Sequence, residues 1–181
     1  MPTQTKHKLE EHRTLTLHDG SVFQVRSIQP GDAPTLQRFH SRCSAESIRL
    51  RFFSPMKELS AKQARNLADI DSVDHFALVA LDPYEPDEII AVVRFVRAPG
   101  SNRAEYAAIV EDRWQGRGLG TLLTQQLIEA ALDRGIERFY ALVMPGNGRM
   151  LRLLRSLELP EHERREGSNK NVEVKLQELA A

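Results

Sequence analysis

The sequence has few of the residues that build disulfide-bonded, metal-binding or membrane-spanning proteins. Cys43 is the only cysteine among 181 residues, which excludes an intrachain disulfide and a metal cage made of thiolates. His18, His40, His75 and His162 are scattered without a pair at helical spacing, so no metal site is expected. No apolar run approaches the ~18 residues of a membrane span, and the polar N-terminal segment has no apolar signal core.

An excess of charge of one sign is also absent. The chain has 25 basic and 25 acidic residues, so no global field would recruit nucleic acid or an anionic membrane, and neither is expected as a partner. Apolar residues make up 41% and charged residues 28%, as is usual for a globular domain. We expect a cytoplasmic protein, a monomer or homodimer, with a polar tail at 1–12 and a single domain at 13–181.

The first third of the chain shows a hairpin followed by three helix starts. Asp19 and Gly20 separate two short extended runs and predict a β-hairpin. Asp32, Ser44 and Ser60 each stand where a helical pattern begins, so each is a candidate N-cap. Ser60 is followed three places later by glutamine, the spacing of a capping box.

The remainder alternates between strand and helix patterns. Residues 75–82, 88–96 and 104–110 are extended runs joined by short turn-forming segments, which predicts antiparallel pairing. A helix then leads to a strand at about 138–144, and this crossover makes the strands at 104–110 and 138–144 a parallel pair. The alternating run at 171–177 predicts a terminal strand. The fold class is therefore α+β, a mixed and mostly antiparallel central sheet flanked by helices.

The segment RWQGRGLGTLL places glycine at positions 116, 118 and 120 directly before a helix. Helix N-termini present unpaired N–H groups and a positive partial charge, and a backbone without Cβ atoms lets a phosphate approach closely. The segment lacks the lysine of a P-loop and both the third glycine and the acidic residue of a dinucleotide fingerprint. It fits Gln-x-x-Gly-x-Gly at Gln115, Gly118 and Gly120. The alternative is a glycine-rich turn that only permits tight strand–helix packing.

On these residues the sequence resembles the GNAT superfamily of acyl-coenzyme A-dependent N-acyltransferases, and its order of elements is similar as well. The runs ESIRLRFFSPMKELS, AEYAAIV and WQGRGLG are similar to the acetyltransferase domain of bacterial Pat-type protein lysine acetyltransferases. The resemblance implies acetyl-CoA as co-substrate and a splayed parallel strand pair that binds it. It also implies transfer to a primary amine, either a protein lysine or a small-molecule amine.

The resemblance implies roles for individual residues. Glu105 matches the glutamate that serves as general base. Backbone amides near Ile109 and Val110 are implied to bind the pantetheine arm and polarise the thioester carbonyl. Asn147 is an N-cap candidate by position and a coenzyme A contact by resemblance. Pyrophosphate contacts are implied along the loop, at Gln115, Gly116, Arg117, Gly118, Leu119, Gly120 and Thr121.

Two features of the chemistry stay open in the sequence. A glutamate with an ordinary pKa of ~4.3 is a poor base for a lysine with a pKa of ~10.4, so Glu105 would need desolvation or a water relay. Many family members carry a tyrosine, a general acid, seven residues after the asparagine, and this chain has Leu154 there. An acyl-CoA-binding regulatory module without turnover is therefore the alternative function.

By resemblance, Phe52 and Phe53 lie near the acceptor groove.

Overall fold

A computed structural model describes residues 12–177, which form one eight-stranded sheet with helices on both faces. The strands are β1 (Arg13–Thr16), β2 (Val22–Ser27), β3 (His75–Leu81), β4 (Ile89–Arg97), β5 (Arg103–Val110), β6 (Arg138–Val143), β7 (Glu161–Glu166) and β8 (Asn169–Lys175). The helices are α1 (Ala33–Arg42), α2 (Ala45–Phe52), α3 (Ala61–Ala68), α4 (Leu119–Leu132) and α5 (Gly148–Ser156). Residues 1–11 of the predicted tail lie outside the described part.

The sheet has the mixed topology that the sequence predicts. Its strand order is β1-β2-β3-β4-β5-β6-β8-β7. Within residues 12–177 only β5 and β6 pair in parallel, and α4 is the crossover between them. Short links join β1 to β2, β3 to β4, β4 to β5 and β7 to β8, and links this short allow only antiparallel pairing. The pairs β2–β3 and β6–β8 are antiparallel as well, although helices lie between their strands in the chain. The prediction of an α+β fold with one parallel pair is confirmed.

Local capping signals explain most helix starts. The hydroxyl of Ser44 accepts the N–H of Ser47, and Ser60 forms the predicted capping box with Gln63. Asp32 stands at the predicted N-cap position of α1, but its carboxylate makes no cap bond to that helix. It accepts instead two hydrogen bonds from the Arg26 guanidinium, at 2.7 and 2.9 Å, and so fixes β2 to the start of α1.

The C-terminal part holds a strand that the sequence pattern does not reveal. The predicted run at 171–177 forms β8, but β8 also pairs with β7, which reads EHERRE. This hairpin is held by ladder hydrogen bonds and by exposed ion pairs such as Lys170–Glu163 at 3.1 Å. Since β7 has no apolar residue, the period of two that marks a half-buried strand is absent.

The sheet separates two apolar layers. The larger one packs α4 and α5 against one face and includes Phe23, Phe95, Phe139 and Leu123. The smaller one packs α1 and α3 against the other face, where Ile109 of β5 adjoins it. Within the described residues no helix has both the length and the apolar character needed to cross a bilayer.

Candidate active site

The glycine segment links the end of β5 to the start of α4. After one 3-10 turn at Asp112–Trp114, Gly116 and Gly118 adopt φ of +72° and +88°, a left-handed conformation that glycine alone adopts without strain. Gly118 is the N-cap of α4. The chain thus turns sharply out of the sheet and directs the helix N-terminus back across the end of β5.

Gly120 has a different reason for being glycine. A Cβ there would lie 2.9 Å from the Leu153 side chain of α5 and 3.5 Å from that of Val110. Its small size therefore lets α4 and α5 pack closely. The alternative explanation was tight packing of strand on helix, but the close contact here is between two helices. At Gly116 and Gly118 an added Cβ would meet nothing within 4 Å. All three glycines line the cleft, but only at Gly116 and Gly118 is there open space for a Cβ.

The N-terminus of α4 presents free backbone donors to this cleft. The N–H of Leu122 makes the first bond of the helix, to the carbonyl of Gly118 at 3.1 Å. The N–H groups of Leu119, Gly120 and Thr121 precede that bond, so they have no partner in the helix. Together with the positive end of the helix dipole they form an anion site that suits a pyrophosphate.

The cleft has a volume of about 410 Å³ and runs from this loop to the opposite face of the sheet. Its lining contains all but one of the predicted site residues, namely Glu105, Ile109, Val110, Gln115, Gly116, Gly118, Leu119, Gly120, Thr121 and Asn147. Residues that the sequence did not identify complete it. The most informative of these are Arg51, close to Glu105, and Arg149 and Arg152 near the loop. Phe53, which was expected near the acceptor groove, also lines the cleft.

Arg117 is the predicted residue outside the cleft lining. Its guanidinium bonds the Asp19 carboxylate at 2.7 Å and the Ser21 hydroxyl at 2.8 Å, and it lies 4.6 Å from the centre of the Trp114 ring. Hydrogen bonds from Ser21 and then from Arg117 hold the pKa of Asp19 below its usual range. The side chain therefore anchors the loop to the β1–β2 hairpin and points away from the cleft. Trp114 packs edge-on against Phe23, at 5.2 Å between ring centres.

The Gln115 side chain connects three elements around the cleft. Its Nε2 donates to the carbonyl of Val110 at 2.8 Å and to the hydroxyl of Ser47 on α2 at 3.1 Å. Its Oε1 accepts a hydrogen bond from Arg149 on α5. The glutamine thus fixes the loop to the end of β5, and it does so with its side chain.

The parallel strands separate beside the loop. β5 and β6 pair only from Arg103 to Glu105, although β5 continues to Val110. The N–H of Glu111 bonds the carbonyl of Ile90 on the β4 side at 2.9 Å. Because strand N–H groups alternate in direction, that of Ile109 also faces β4, whereas those of Ala108 and Val110 face the gap. The splay predicted by resemblance is present, and Ala108 and Val110 supply its free amides.

Glu105 lies at the last paired position before the strands separate. It shares the sheet face of Ile109 and is exposed. Within residues 12–177 its carboxylate makes no hydrogen bond and no ion pair. Arg51 is close enough to Glu105 for the two charges to interact. Burial lowers the pKa of Arg51, and the negative charge of Glu105 raises it. A free carboxylate thus faces the point where the gap opens.

Helix α5 supplies no acid to the cleft at position 154, where the resemblance made a tyrosine the usual residue. The side chain of Leu154 is 2% exposed and packs in the core. Asn147 is the N-cap of α5, as predicted, and accepts the N–H of Met150 at 3.1 Å. Tyr106 also lines the cleft, but its hydroxyl is buried against Thr124 at 2.6 Å, and burial raises its pKa.

Comparison with known proteins agrees with this site. Residues 44–158 match the model of the acetyltransferase (GNAT) family. The chain is 35% identical over 145 residues to the acetyltransferase Pat of Mycolicibacterium smegmatis, covering 77% of this chain and 42% of that protein. It is 28% identical over 142 residues to an acetyltransferase of Pseudomonas aeruginosa, covering 77% and 76% of the two.

Solved structures give the same result. The GNAT domain of S. lividans PAT superposes with a TM-score of 0.84 at 32% identity, covering 91% of this chain and 97% of that domain. A cAMP-binding acyltransferase from Mycobacterium smegmatis superposes with a TM-score of 0.66 at 28% identity, covering 92% of this chain and 48% of that one. The chain thus spans less than half the length of the two mycobacterial proteins. By its matched residues and its fold, it belongs to the GNAT family of acetyltransferases.

Proposed function

We propose that this protein is an acetyl-CoA-dependent N-acetyltransferase that transfers the acetyl group directly to a primary amine, with Glu105 as general base. The single observation behind the proposal is the position of Glu105. Its carboxylate is unpaired among the described residues and lies where β5 and β6 separate, in the same cleft as the glycine loop. A donor on the loop and an amine at Glu105 would therefore meet in the gap.

The residues of the loop fit coenzyme A. The free amides of Leu119, Gly120 and Thr121 suit a pyrophosphate, and no side chain blocks the approach at Gly116 and Gly118. Arg149 and Arg152 line this end of the cleft and form no ion pair within residues 12–177, so their charge is available to phosphates. When bound, acetyl-CoA supplies an acetyl group activated as a thioester.

Transfer requires a neutral amine, and a lysine in water is almost fully protonated at pH 7. Glu105, directly or through one water, takes the proton that the amine nitrogen loses as it bonds to the carbonyl carbon. The N–H groups of Ala108 and Val110 face the gap and would donate to the carbonyl oxygen as it gains negative charge. Both are backbone groups held by the β4–β5 ladder, so they need no rearrangement.

The sulfur leaves as a thiolate when the carbon–sulfur bond breaks. Since Leu154 is buried in the core, α5 provides no proton donor at that position. A thiol has a pKa near ~8.5, so its thiolate is a tolerable leaving group and can take its proton from water. The missing tyrosine is therefore compatible with turnover.

A protein lysine is the proposed acceptor, and a small-molecule amine is the second candidate. The similarity to proteins named Pat supports the lysine. Phe53 and Leu142 line the cleft, and Val96 is the cross-strand neighbour of Glu105. These exposed apolar side chains would pack on the methylene groups of a lysine. A cytoplasmic location, a single domain over 13–181 and a monomeric or dimeric state are proposals that depend on the same family assignment.

Transfer of labelled acetyl from acetyl-CoA to lysine peptides, amino acids and polyamines tests the proposal. We expect Glu105→Gln to lower kcat by about 100-fold or more, the usual contribution of a general base, with little change in acetyl-CoA affinity. Glu85→Gln is the control, because Glu85 is exposed in the β3–β4 turn and is not part of the cleft lining. Full activity of Glu105→Gln would remove Glu105 from the role of base.

The rival function is a regulatory module that binds acyl-CoA without turnover. The burial of Leu154 favours it, because the common side-chain acid is missing. Calorimetric titration with acetyl-CoA together with the acceptor screen separates the two functions. Tight binding with no transfer to any acceptor supports the module, and transfer that depends on Glu105 supports the enzyme.

A further inference from the structure

A second, smaller cavity lies behind the cleft, between the α1–α3 layer and the sheet. Its volume is about 30 Å³, and most of its wall is apolar. Three nitrogen-bearing side chains interrupt that wall: His40, Arg51 and Arg94. Arg51 and Ile109 line both this cavity and the large cleft, so the cavity adjoins the end of β5 where the thioester is expected.

Arg94 is a buried guanidinium without a counter-ion. It is 5% exposed and donates to His75 Nε2 at 3.0 Å and to the carbonyl of Leu67 at 3.2 Å. No carboxylate of residues 12–177 forms an ion pair with it. Burial, and then the charge of Arg51, lowers its pKa to about 9. Burying a charge without an opposite charge is costly, so a missing anion would stabilise this arrangement.

Across residues 12–177, the other two nitrogen-bearing groups lack hydrogen-bond partners for their side-chain nitrogens at the cavity. Within the described residues Arg51 makes no hydrogen bond or ion pair; its guanidinium lies 4.7 Å from the ring centre of Phe52. His40 is 5% exposed, and its buried Nε2 has no hydrogen-bond partner. Buried polar groups almost always have partners. Around this cavity, among the residues that the structure describes, His40 Nε2 has none, the half-buried Arg51 makes no hydrogen bond, and Arg94 has no counter-ion, which together indicate a ligand that can accept hydrogen bonds.

We propose that this cavity binds the terminal carboxylate of a longer acyl group, so that the protein also uses dicarboxylic acyl-CoA donors of the succinyl class. The inference rests on the proposed function, since it places the thioester at the end of β5. Arginine is the side chain best suited to pair with a carboxylate, and two arginines face the cavity here. One water needs only about 10–15 Å³ of cavity, so about 30 Å³ suits a carboxylate but not a long alkyl chain.

The position of the cavity favours the acyl group over the acceptor as the source of the carboxylate. Arg94 pairs with Ala107 across the β4–β5 ladder, two residues before Ile109 and on the same face. Two residues of strand span about 7 Å, which a four-carbon acyl group and an arginine side chain together can cover. The acceptor is expected instead at the exposed Glu105.

The chemistry of transfer stays the same for such a donor. The amine nitrogen bonds to the thioester carbonyl carbon, the carbon–sulfur bond breaks, and coenzyme A leaves as the thiolate. Glu105 receives the amine proton. The terminal carboxylate takes part in no bond change and serves only to hold the acyl chain.

Calorimetric titration of the full chain with succinyl-CoA and with acetyl-CoA tests the proposal through the ratio of the two affinities. We expect Arg51→Gln to shift that ratio against succinyl-CoA by about tenfold, the effect of losing one charge-assisted hydrogen bond. Arg49→Gln is the matched control on the same helix, because Arg49 lines neither cavity and should leave the ratio as it is. Arg94→Gln repeats the test from the buried side, provided that its thermal unfolding remains cooperative.

A second readout follows the product. With a lysine peptide as acceptor, mass spectrometry distinguishes succinylated from acetylated product, and Arg51→Gln should lower the succinylated fraction in a mixture of both donors. If Arg51→Gln leaves the ratio of the two affinities unchanged, the proposal is overturned and the arginines are structural. This holds whether both affinities fall equally or neither falls. Failure of the proposed function looks different, because acetyl-CoA is then not transferred, whatever the ratio of the two affinities.

Discussion

Both ends of the cleft contain left-handed backbone, but with opposite choices of residue. At the donor end Gly116 and Gly118 have φ of +72° and +88°. At the acceptor end Phe53, the C-cap of α2, has φ of +62° although its side chain is bulky, and it remains 41% exposed. Glycine adopts this conformation without strain, whereas an aromatic residue there costs about 1–3 kcal/mol.

The difference indicates which atoms act at each end. At the donor end the chain gives up side chains, and the free groups are backbone amides, which suit a phosphate present in every coenzyme A. At the proposed acceptor end it keeps an aromatic side chain despite the strain, and we infer that the ring itself serves the acceptor. Specificity for the acceptor should therefore depend on side chains such as Phe53, and affinity for the donor on the backbone.

The largest effect is expected on the affinity for acetyl-CoA when a methyl group is added at the donor end by Gly118→Ala. Gly118→Ala places a Cβ in the open space of the loop and strains its backbone. We expect the affinity for acetyl-CoA to fall by about tenfold or more, since the change affects both the approach of the phosphate and the amides that bind it. Calorimetric titration measures this effect.

Gly100→Ala separates the two causes. Gly100 has φ of +77° in the exposed β4–β5 turn, and a Cβ there also meets nothing within 4 Å. Both variants should lose a similar free energy of unfolding, about 1 kcal/mol, from the same backbone strain. Only Gly118→Ala should lose acetyl-CoA affinity. Equal affinity in the two variants would show that the loop backbone does not bind the donor.

A smaller effect is expected at the acceptor end. Phe53→Gly relieves the left-handed strain, so the free energy of unfolding should stay the same or rise by up to about 1 kcal/mol. Without the aromatic surface beside Glu105, the KM for the acceptor should rise severalfold while acetyl-CoA affinity is retained. Urea unfolding and steady-state kinetics with a lysine peptide measure the two. A loss of stability together with an unchanged KM would make Phe53 a packing residue.

The same comparison explains how much of the site could be predicted from the sequence. The donor end is local: RWQGRGLG carries its turn, its helix start and its free amides within a few adjacent residues. Yet the pattern could not tell that Gly118 is needed for its φ and Gly120 for the contact with Leu153, because that contact joins segments distant in sequence. Arg117 follows the pattern as well, but Asp19 holds its side chain away from the cleft.

The small cavity proposed for the acyl carboxylate is assembled from distant segments, which is why the sequence did not predict it. Arg51 comes from α2, Arg94 from β4 and His40 from α1, and each resembles an ordinary surface or strand residue in the sequence. Only the three-dimensional fold shows that they share a cavity without a carboxylate. The strand β7 was missed for a related reason, because its polar sequence carries no signal and the pairing with β8 decides its conformation.

The smallest predicted effect concerns Asp112, whose hydrogen bonds connect the turn before the glycine loop to the start of α2. Asp112, in the turn before the glycine loop, accepts hydrogen bonds from the N–H and hydroxyl of Ser44 and from the hydroxyl of Ser47, at 2.7–3.0 Å, and so holds the start of α2. Burial would raise the pKa of Asp112, but these hydrogen bonds outweigh it, and the pKa lies below its usual value. A lowered carboxylate pKa adds stability above pH ~4 that is lost as the pH falls further.

Asp112→Asn should therefore cost at most about 1 kcal/mol near neutral pH, and the difference from the natural chain should shrink below pH ~4. Urea unfolding between pH 3 and 7 measures it, with Asp87→Asn as control, because Asp87 is exposed and has no hydrogen-bond partner among the described residues. Since Phe53 caps α2, the same variant should weaken acceptor binding more than acetyl-CoA binding. An equal loss of both would show that the two ends of the cleft are not independent.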